Sequence, residues 1–364
     1  MRDGVSGRQV LSLGTVILLT PTLRLFPART AELAGRLSWL TAGLAFLPLL
    51  GYAWFLARLE QARREGETLA DYLARAGGRP ALAVTAAWAL LYAAFVLRSG
   101  ADRFVGTVYP RASPPVFAEA MGALALWAAL HSERALLRTA RLVQPFLLLA
   151  LGLLLLFACR EARLDNLLPA TLPEAPGLLR GTLVPLDLVA GVGLAMGFAV
   201  SGLPKRGGVF RALGLWTAAM CLLLTLLSVA VTGVLGAELT VRLSRPFFSL
   251  VRTLVFFRTV ERLEALVVML WIFPDFLITA LFLRAAAQAL RRLLGYDGAL
   301  DGEGLGRGRW LILAAGLLAA ALSFVLAPDA QKLERWSAQL IPALNLCYAL
   351  VFLPAIYIID RAKR

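Results

Sequence analysis

The chain has 364 residues, of which 59% are hydrophobic and 16% are charged, and its mean hydropathy is +0.74. This composition excludes a soluble globular domain, because apolar runs of about 18 or more residues recur along the whole length. The net charge of +14 comes from basic residues between these runs, which indicates membrane topology and lipid headgroups rather than nucleic acid. The sequence has no P-loop, no GxSxG motif and one histidine, so we predict no enzyme, no cofactor and no metal site.

We predict an all-α membrane protein with ten transmembrane helices in one domain covering residues 1–364, because backbone polar groups in lipid must be satisfied within a helix. The predicted spans cover residues 9–27, 36–57, 81–100, 115–131, 141–159, 183–203, 210–235, 261–286, 309–327 and 338–359. Between the seventh and eighth spans, residues 242–258 are apolar with arginines at intervals. That pattern predicts an amphipathic helix in the membrane interface, with a short re-entrant or buried segment as the alternative.

Lysine and arginine are more frequent in the N-terminal tail and the even-numbered loops than in the odd-numbered loops. The positive-inside rule therefore predicts that both termini are cytoplasmic.

A long polar link follows the fifth span and divides the chain into halves of five helices, residues 9–160 and 183–360. We predict that the halves form an inverted repeat, the arrangement that builds many transporters around discontinuous first helices.

The first helix of each half contains residues that weaken a helix. The first span carries "LLTPTLRLF", in which Pro21 lacks a backbone N–H. The sixth carries "LVAGVGLAMGFAVSG", with Gly191, Gly193, Gly197 and Gly202. We predict that helices 1 and 6 are discontinuous; the alternative is that Pro21 only kinks its helix and that the glycines only pack.

Interrupted helices expose N–H groups that suit a carboxylate and carbonyls that suit an ammonium group, so the two breaks predict a site for a small zwitterion such as an amino acid. The predicted ligand-binding residues are Thr20, Pro21, Thr22, Gly191, Gly193, Met196, Gly197 and Phe198.

Two further residues are predicted on the pathway. Asp275 follows Pro274 inside the eighth span, and an ionisable residue at such depth usually faces a pathway or a partner. The alternative is a structural ion pair with an arginine such as Arg98. Tyr92 shares a helix face with Trp88 and could line a ligand, although packing is the alternative.

Three stretches resemble the spore-germination permeases, a branch of the amino acid–polyamine–organocation superfamily. "ERLEALVVMLWIF", residues 261–273, resembles the motif that opens the family's eighth span. "SGRQVLSLGTVILL", residues 6–19, resembles its opening, and "LDNLLPA", residues 164–170, with "GLLRG", residues 177–181, resembles the segment before its sixth span.

The resemblance implies a leucine-transporter-like fold and the membrane subunit of a germinant receptor that senses a nutrient, often an amino acid. It implies a place in the cell membrane or the inner membrane of a spore, with a larger membrane subunit and a lipoprotein subunit as partners. The motif residues Glu261, Arg262 and Glu264 are predicted to dock a partner, with a plain belt of charges at the membrane surface as the alternative. The alternative function is a proton- or sodium-coupled secondary transporter of amino acids or amines.

Overall fold

The computed structural model describes residues 6–64, 66–109, 111, 113–168, 175–198, 208–253, 264–296, 300 and 307–363. The described part is helical throughout and contains no strand. The helices are α1 Gly7–Ala34, α2 Thr41–Ala62, α3 Leu69–Thr107, α4 Pro114–Ala129, α5 Glu133–Glu161, α6 Ala175–Gly181, α7 Leu183–Phe198, α8 Val209–Leu235, α9 Ala237–Arg242, α10 Pro246–Thr253, α11 Glu264–Leu293, α12 Arg307–Leu326, α13 Ala330–Arg335, α14 Ile341–Leu346 and α15 Leu353–Ala362.

Eight helical stretches of the described residues are long and apolar enough to cross a membrane. The first of them, Gly7–Ala62, contains both α1 and α2, and α4 is a shorter apolar helix. The prediction of a multi-pass, all-helical membrane protein is therefore confirmed. The count of ten spans, the inverted repeat and the orientation of the termini stay predictions.

The first helix is continuous where a break was predicted. α1 runs from Gly7 to Ala34 through Pro21 and Pro27, and every residue from Ser12 to Thr20 is buried. Burial on all faces places α1 in the centre of the bundle. Proline removes one N–H and strains one turn, but neighbouring helices hold a buried helix in place on both sides of it. The predicted discontinuity of helix 1 at Pro21 is thus wrong.

The glycine-rich helix shows no break at Gly191, Gly193 or Gly197, so the predicted discontinuity of helix 6 is absent from the described part of its span, residues 183–198. α7 runs without interruption through Gly191, Gly193 and Gly197 and is separated from the short α6 by Thr182. A Cβ added at Gly193 would lie 3.0 Å from Leu56, which shows that glycine serves close packing against α2 rather than unwinding. Gly202 lies outside the described residues.

A sharp kink occurs instead near the start of α3. Gly78 has φ +68° and a non-helical conformation inside this helix, and Pro80 follows it. A positive φ is inexpensive only for glycine, so this residue separates a short first segment from the long remainder of α3. The remainder packs along α11, and these two helices form the most extensive helix pair of the described residues.

The surface helix between the seventh and eighth predicted spans is shorter than expected. α10 begins at Pro246, and residues 254–258 of the predicted element lie outside the description. Its apolar residues Phe247, Leu250 and Val251 are buried in the bundle, whereas Arg252 is exposed. The amphipathic character predicted from the arginine spacing is therefore present, and its place in the membrane interface stays a prediction.

The last helical stretch contains two π-helical segments. Trp336–Leu340 precedes α14, and Cys347–Phe352 follows it. A π segment widens the helix locally and is often found beside functional sites. The short α14 between them carries Asn345, whose side chain reaches the centre of the bundle.

Ion pairs join several helix ends on the side where α1 begins. Arg75 on the first segment of α3 contacts Glu67 at 3.0 Å and Asp360 of α15 at 2.9 Å. Asp71, one turn before Arg75, pairs with Arg292 at the end of α11. These contacts tie the segment before the Gly78 kink to α11 and α15.

Glu67 lies outside the helical spans, and its surroundings change its pKa. Burial alone would raise the pKa of this carboxyl, but hydrogen bonds from the Arg75 side chain and the backbone N–H of Arg64 outweigh burial and hold the pKa below its usual value. The ionised form is therefore favoured in the folded protein.

Candidate functional site

A vestibule enters the bundle at the end where α1 finishes and the last helical stretch begins. It has a volume of about 380 Å³. Its wall is formed by α1, α3, the segment around α9 and α10, and α13 with the π segment after it; charged lining residues include Arg24, Arg29, Glu32, Asp102, Arg103 and Arg245. Ionisable residues within membrane helices are costly unless they face water or one another, and here they line the vestibule.

A second, much smaller cavity lies deeper and shares lining residues with the vestibule. We call it the inner cavity; its volume is about 20 Å³, which is room for about one water molecule. Arg24 and Arg103 line both spaces, so the two arginines mark the boundary between them. The other polar lining residues of the inner cavity are Thr20, Tyr92, Ser99, Asp187, Asp275 and Asn345.

A buried ion pair stands at this boundary. Arg103 of α3 binds Asp275 of α11, and the residues are 4% and 2% exposed. Gly100 makes the approach possible, since a Cβ there would lie 3.1 Å from the Asp275 carboxylate. The predicted alternative partner, Arg98, instead donates to the carbonyl of Ala327 at 2.8 Å. Asp275 therefore forms an ion pair, but with Arg103 and not with Arg98, the partner that we considered from the sequence.

The region of Pro274 is held by α1. The hydroxyl of Thr20 donates to the carbonyl of Trp271 at 3.1 Å, across the interface between α1 and α11. Proline leaves carbonyls in the preceding turn short of donors, and a side-chain hydroxyl from a neighbouring helix compensates. Thr20 thus couples the two helices directly beside the Asp275 ion pair.

Arg24 lies one turn after Pro21 and faces the vestibule. Its guanidinium donates to the Ser337 hydroxyl and lies 5.0 Å from the centre of the Phe95 ring. Among the described residues it forms no ion pair with a carboxylate. A guanidinium without a carboxylate partner can bind one in two parallel hydrogen bonds.

Asp187 lies at the opposite wall of the inner cavity. The residue is 4% exposed, and its Oδ1 has no hydrogen-bond partner among the described residues. Asn345 lines the same cavity, and its side-chain oxygen accepts a hydrogen bond of 3.0 Å from Trp88. An unsatisfied buried carboxylate oxygen is expensive, so its retention points to a ligand or a conformational role.

A layer of aromatic rings closes the bundle beyond the inner cavity. Trp88 stacks on Tyr348 with ring centres 4.3 Å apart, and Tyr92 stacks on Phe282 at 4.4 Å. Phe198 at the end of α7 lies 6.4 Å from Trp88. These rings pack α3, α7, α11 and the π segment after α14 against one another.

A third space, the N-terminal cavity, opens at the other end of α1. It has a volume of about 190 Å³ and is lined largely by apolar residues, with Glu60 and Arg63 at one side. Val10 of α1, Leu69 of α3 and Met196 of α7 belong to its wall. The vestibule and the N-terminal cavity therefore approach the centre of the bundle from opposite ends of α1.

The residues predicted from the sequence divide between these spaces. Thr20, Pro21, Tyr92 and Asp275 line the inner cavity. Gly193, Met196 and Gly197 line the N-terminal cavity.

The remaining predicted ligand residues lie in the packed interior. Gly191 packs against Asn345, with an added Cβ 3.5 Å from its amide nitrogen. Phe198 belongs to the aromatic layer, and Thr22 is buried with no partner for its hydroxyl in the described part of the chain. The eight predicted ligand residues thus do not form one cluster.

The predicted docking residues cannot be placed. Glu261 and Arg262 lie outside the described residues, and Glu264 begins α11 without a described side chain.

Five polar residues of the inner cavity were not among the predicted site residues: Arg24, Ser99, Arg103, Asp187 and Asn345. Arg24 carried a usable signal, because it follows Pro21 within the first apolar run. Arg103 and Asn345 gave no such signal, since their proximity to the other residues depends on how the helices pack. No group of three or more histidine, cysteine or acidic side chains that could hold a metal ion occurs in the described ranges.

Comparison with known proteins gives one family. The model of the family described as spore germination protein matches residues 4–299. No curated protein matches the chain.

Proposed function

Since the chain belongs to the spore germination protein family, we propose that it is the nutrient-sensing membrane subunit of a spore germinant receptor. The family and the helices establish a germinant-receptor or permease-like multi-pass membrane protein. The proposal adds that a small nutrient such as an amino acid enters the vestibule and binds where the vestibule meets the inner cavity.

The observation that carries the proposal is the pair of connected spaces with charged walls. Arg24 and Arg103 border both spaces, and two buried acids line the inner one. Ligand sites are concave and hold a few polar groups in fixed positions, and charges inside a membrane protein mark such sites. Within the described residues α1 and α7 run without a break, so we place recognition on side chains instead.

Arg24 is the residue that we assign to an anionic group of the nutrient. Its guanidinium borders the vestibule and has no described carboxylate partner. A carboxylate entering the vestibule would gain charge-assisted hydrogen bonds there without first breaking an ion pair of Arg24.

The test uses spores that carry the receptor with Arg24→Gln, with Arg8→Gln as the matched control. Arg8 is an exposed arginine at the other end of α1. We expect that the nutrient concentration for half-maximal germination rises at least tenfold in Arg24→Gln, a loss of about 1.4 kcal/mol or more, and stays unchanged in Arg8→Gln. If Arg24→Gln is present in the membrane in normal amounts and its response is unchanged, the nutrient does not bind at Arg24.

A second candidate function is a secondary transporter of amino acids or amines coupled to protons or sodium. The observation that favours it is the pair of cavities at opposite ends of α1, separated by the aromatic layer around Trp88, which is the geometry that alternating access needs. The purified chain in liposomes with a pH or sodium gradient decides between the two. Accumulation of labelled amino acid would identify a transporter, whereas binding without accumulation would support the sensor.

We further propose a larger membrane subunit and a lipoprotein subunit as partners, with residues 261–264 as the docking segment. The support for this is the family membership and the alternating charges that precede α11.

A further inference from the structure

We propose that the outer face of α5 binds an anionic phospholipid of the membrane, whose phosphate group contacts Arg134, Arg138 and Arg141 near the start of the helix. We call these three arginines the basic end of α5. An acyl chain of the same lipid lies along the apolar side chains that follow. This inference goes beyond the proposed function and does not depend on a nutrient.

The basic end occupies one face of the helix. Its arginines occur at intervals of four and three residues, so at about 100° of rotation per residue they fall within an arc of about 60°. All three are exposed, and none of them forms an ion pair or a side-chain hydrogen bond with another described residue. Three positive charges so close together repel one another, and a negatively charged ligand relieves that repulsion.

The acid next to the basic end does not neutralise it. Glu133, the first residue of α5, accepts a hydrogen bond of 3.0 Å from the side chain of Gln288 in α11. Gln288 lies about one turn before Arg292, which binds Asp71. Glu133 is therefore engaged inside the bundle, and α5 begins at the same end of the bundle as α1.

The exposed face of α5 continues beyond the basic end as an apolar stripe. We give this name to five large side chains that are 43–69% exposed and occur at alternating intervals of four and three residues: Leu142, Phe146, Leu149, Leu153 and Leu156. The opposite face of α5 packs against α1, α8 and α11. The basic end and the apolar stripe together stay within an arc of about 140°, so they form one surface that is charged at one end and apolar along the rest.

The dimensions of this surface match a phospholipid in one leaflet. At about 1.5 Å per residue, the basic end covers about 10 Å along the helix and the apolar stripe covers about 21 Å. One leaflet contributes about 15 Å of hydrocarbon, and the headgroups lie directly outside it. A phosphate at the basic end therefore places a whole acyl chain beside the apolar stripe.

The charge of the basic end selects the headgroup. Guanidinium groups bind phosphate oxygens through paired, charge-assisted hydrogen bonds. The ammonium group of a zwitterionic lipid would be repelled by the neighbouring arginines, whereas an anionic headgroup such as that of phosphatidylglycerol carries no positive charge. We therefore assign an anionic glycerophospholipid to this surface.

The experiment measures the thermal unfolding midpoint of the purified full-length protein in detergent micelles while phosphatidylglycerol or phosphatidylcholine is added. We expect phosphatidylglycerol to raise the midpoint saturably, because a ligand that binds only the folded state stabilises it. Its half-maximal concentration should be lower than that of phosphatidylcholine by about tenfold or more, and the difference should shrink at high salt because exposed charges are screened.

Two triple variants locate the site. The first replaces the three arginines of the basic end by glutamine. The control removes the same charge from three exposed arginines, one on each of three other helices: Arg58→Gln in α2, Arg79→Gln in α3 and Arg211→Gln in α8. Since all six positions are exposed, both variants should fold, and their midpoints without lipid check this. We expect the half-maximal concentration of phosphatidylglycerol to rise about tenfold or more in the first variant and less than about twofold in the control.

A third ligand, glycerol phosphate, separates a lipid from a free anion. It carries the anionic group without an acyl chain, so we expect no shift at the concentration at which phosphatidylglycerol saturates. An equal shift with glycerol phosphate would overturn the assignment to a lipid. Equal effects of the two triple variants would show that the lipid responds to net charge and not to this face, which would also overturn the proposal. An unchanged lipid response of the first variant would refute it as well and would leave the basic end to an acidic segment of a partner protein.

Discussion

The buried ion pair between Arg103 and Asp275 allows a quantitative prediction. Replacing Asp275 by alanine removes the carboxylate and leaves the Arg103 guanidinium without its counter-charge. The side chains are 4% and 3% exposed for the arginine and the aspartate, so neither is solvated like a surface residue. We expect Asp275→Ala to destabilise the protein strongly.

The magnitude follows from what remains around the arginine. Removing one partner of a buried ion pair typically costs about 3–5 kcal/mol, because the other charge is left uncompensated. Arg103 keeps a weak contact of 3.5 Å with the Ser99 hydroxyl and borders the vestibule, which gives partial access to water. The expected loss is therefore about 3 kcal/mol, at the lower end of that range.

The assay is thermal unfolding of the purified protein, with Asp102→Ala as the control. Asp102 lies on the same helix as Arg103, has a side chain that is 31% exposed and contacts Arg245 at 3.3 Å, so its loss should cost about 0–1 kcal/mol. Combining Asp275→Ala with Arg103→Met should recover much of the lost stability, since no unpaired charge remains. A double variant as unstable as Asp275→Ala alone would refute this account of the ion pair.

Three further predictions concern other parts of the chain. Gly233→Ala should lower the unfolding midpoint, because its Cβ would lie 2.8 Å from a side chain of the α5 end, whereas Gly152→Ala, with nothing within 4 Å, should keep or raise the midpoint. Because the pKa of Glu67 is lowered in the folded protein, its ionised carboxylate stabilises the fold at neutral pH, and this contribution is lost as the pH falls through the folded-state pKa. Glu67→Gln lacks that contribution and should therefore lose less stability in acid than the wild type. Unfolding at a series of pH values measures the difference. Replacing both Glu261 and Glu264 by glutamine should reduce co-purification with the proposed partner subunits. If co-purification is undiminished, the two residues do not dock a partner and belong only to the belt of charges at the membrane surface.

Much of the helical layout could be predicted from the sequence, because apolar run length depends on bilayer thickness and not on tertiary contacts. Each predicted span overlaps a helical stretch of the described residues, from α1 to the stretch that ends with α15. The described parts of α1 and α7 do not show the predicted breaks, and the two cases have a common reason. Proline and glycine lower the local cost of a break, but the neighbours decide whether it happens, and here Leu56 and other residues pack closely against the glycine positions.

The composition of the inner cavity was harder to predict, since it requires knowing which helices meet. Asp275 could be singled out from the sequence, because a single acid in an apolar run is conspicuous, and it lines the inner cavity; its predicted pathway role stays a prediction. Its partner Arg103 lies near the end of α3 in a stretch with other charges, where nothing in the local sequence separates it from Arg98. Only the packing of α3 against α11 makes that choice.

The continuity of α1 and the position of Arg24 have one physical explanation. A broken helix binds a carboxylate through free N–H groups, which act as a partial positive charge. In this chain the turn around Pro21 remains helical, so its N–H groups stay engaged in the helix. The guanidinium of Arg24, one turn further along, provides a full positive charge at the vestibule. Under the proposed function a side chain takes the role of the free backbone N–H groups, so Arg24→Lys should retain part of the nutrient response while Arg24→Gln loses it.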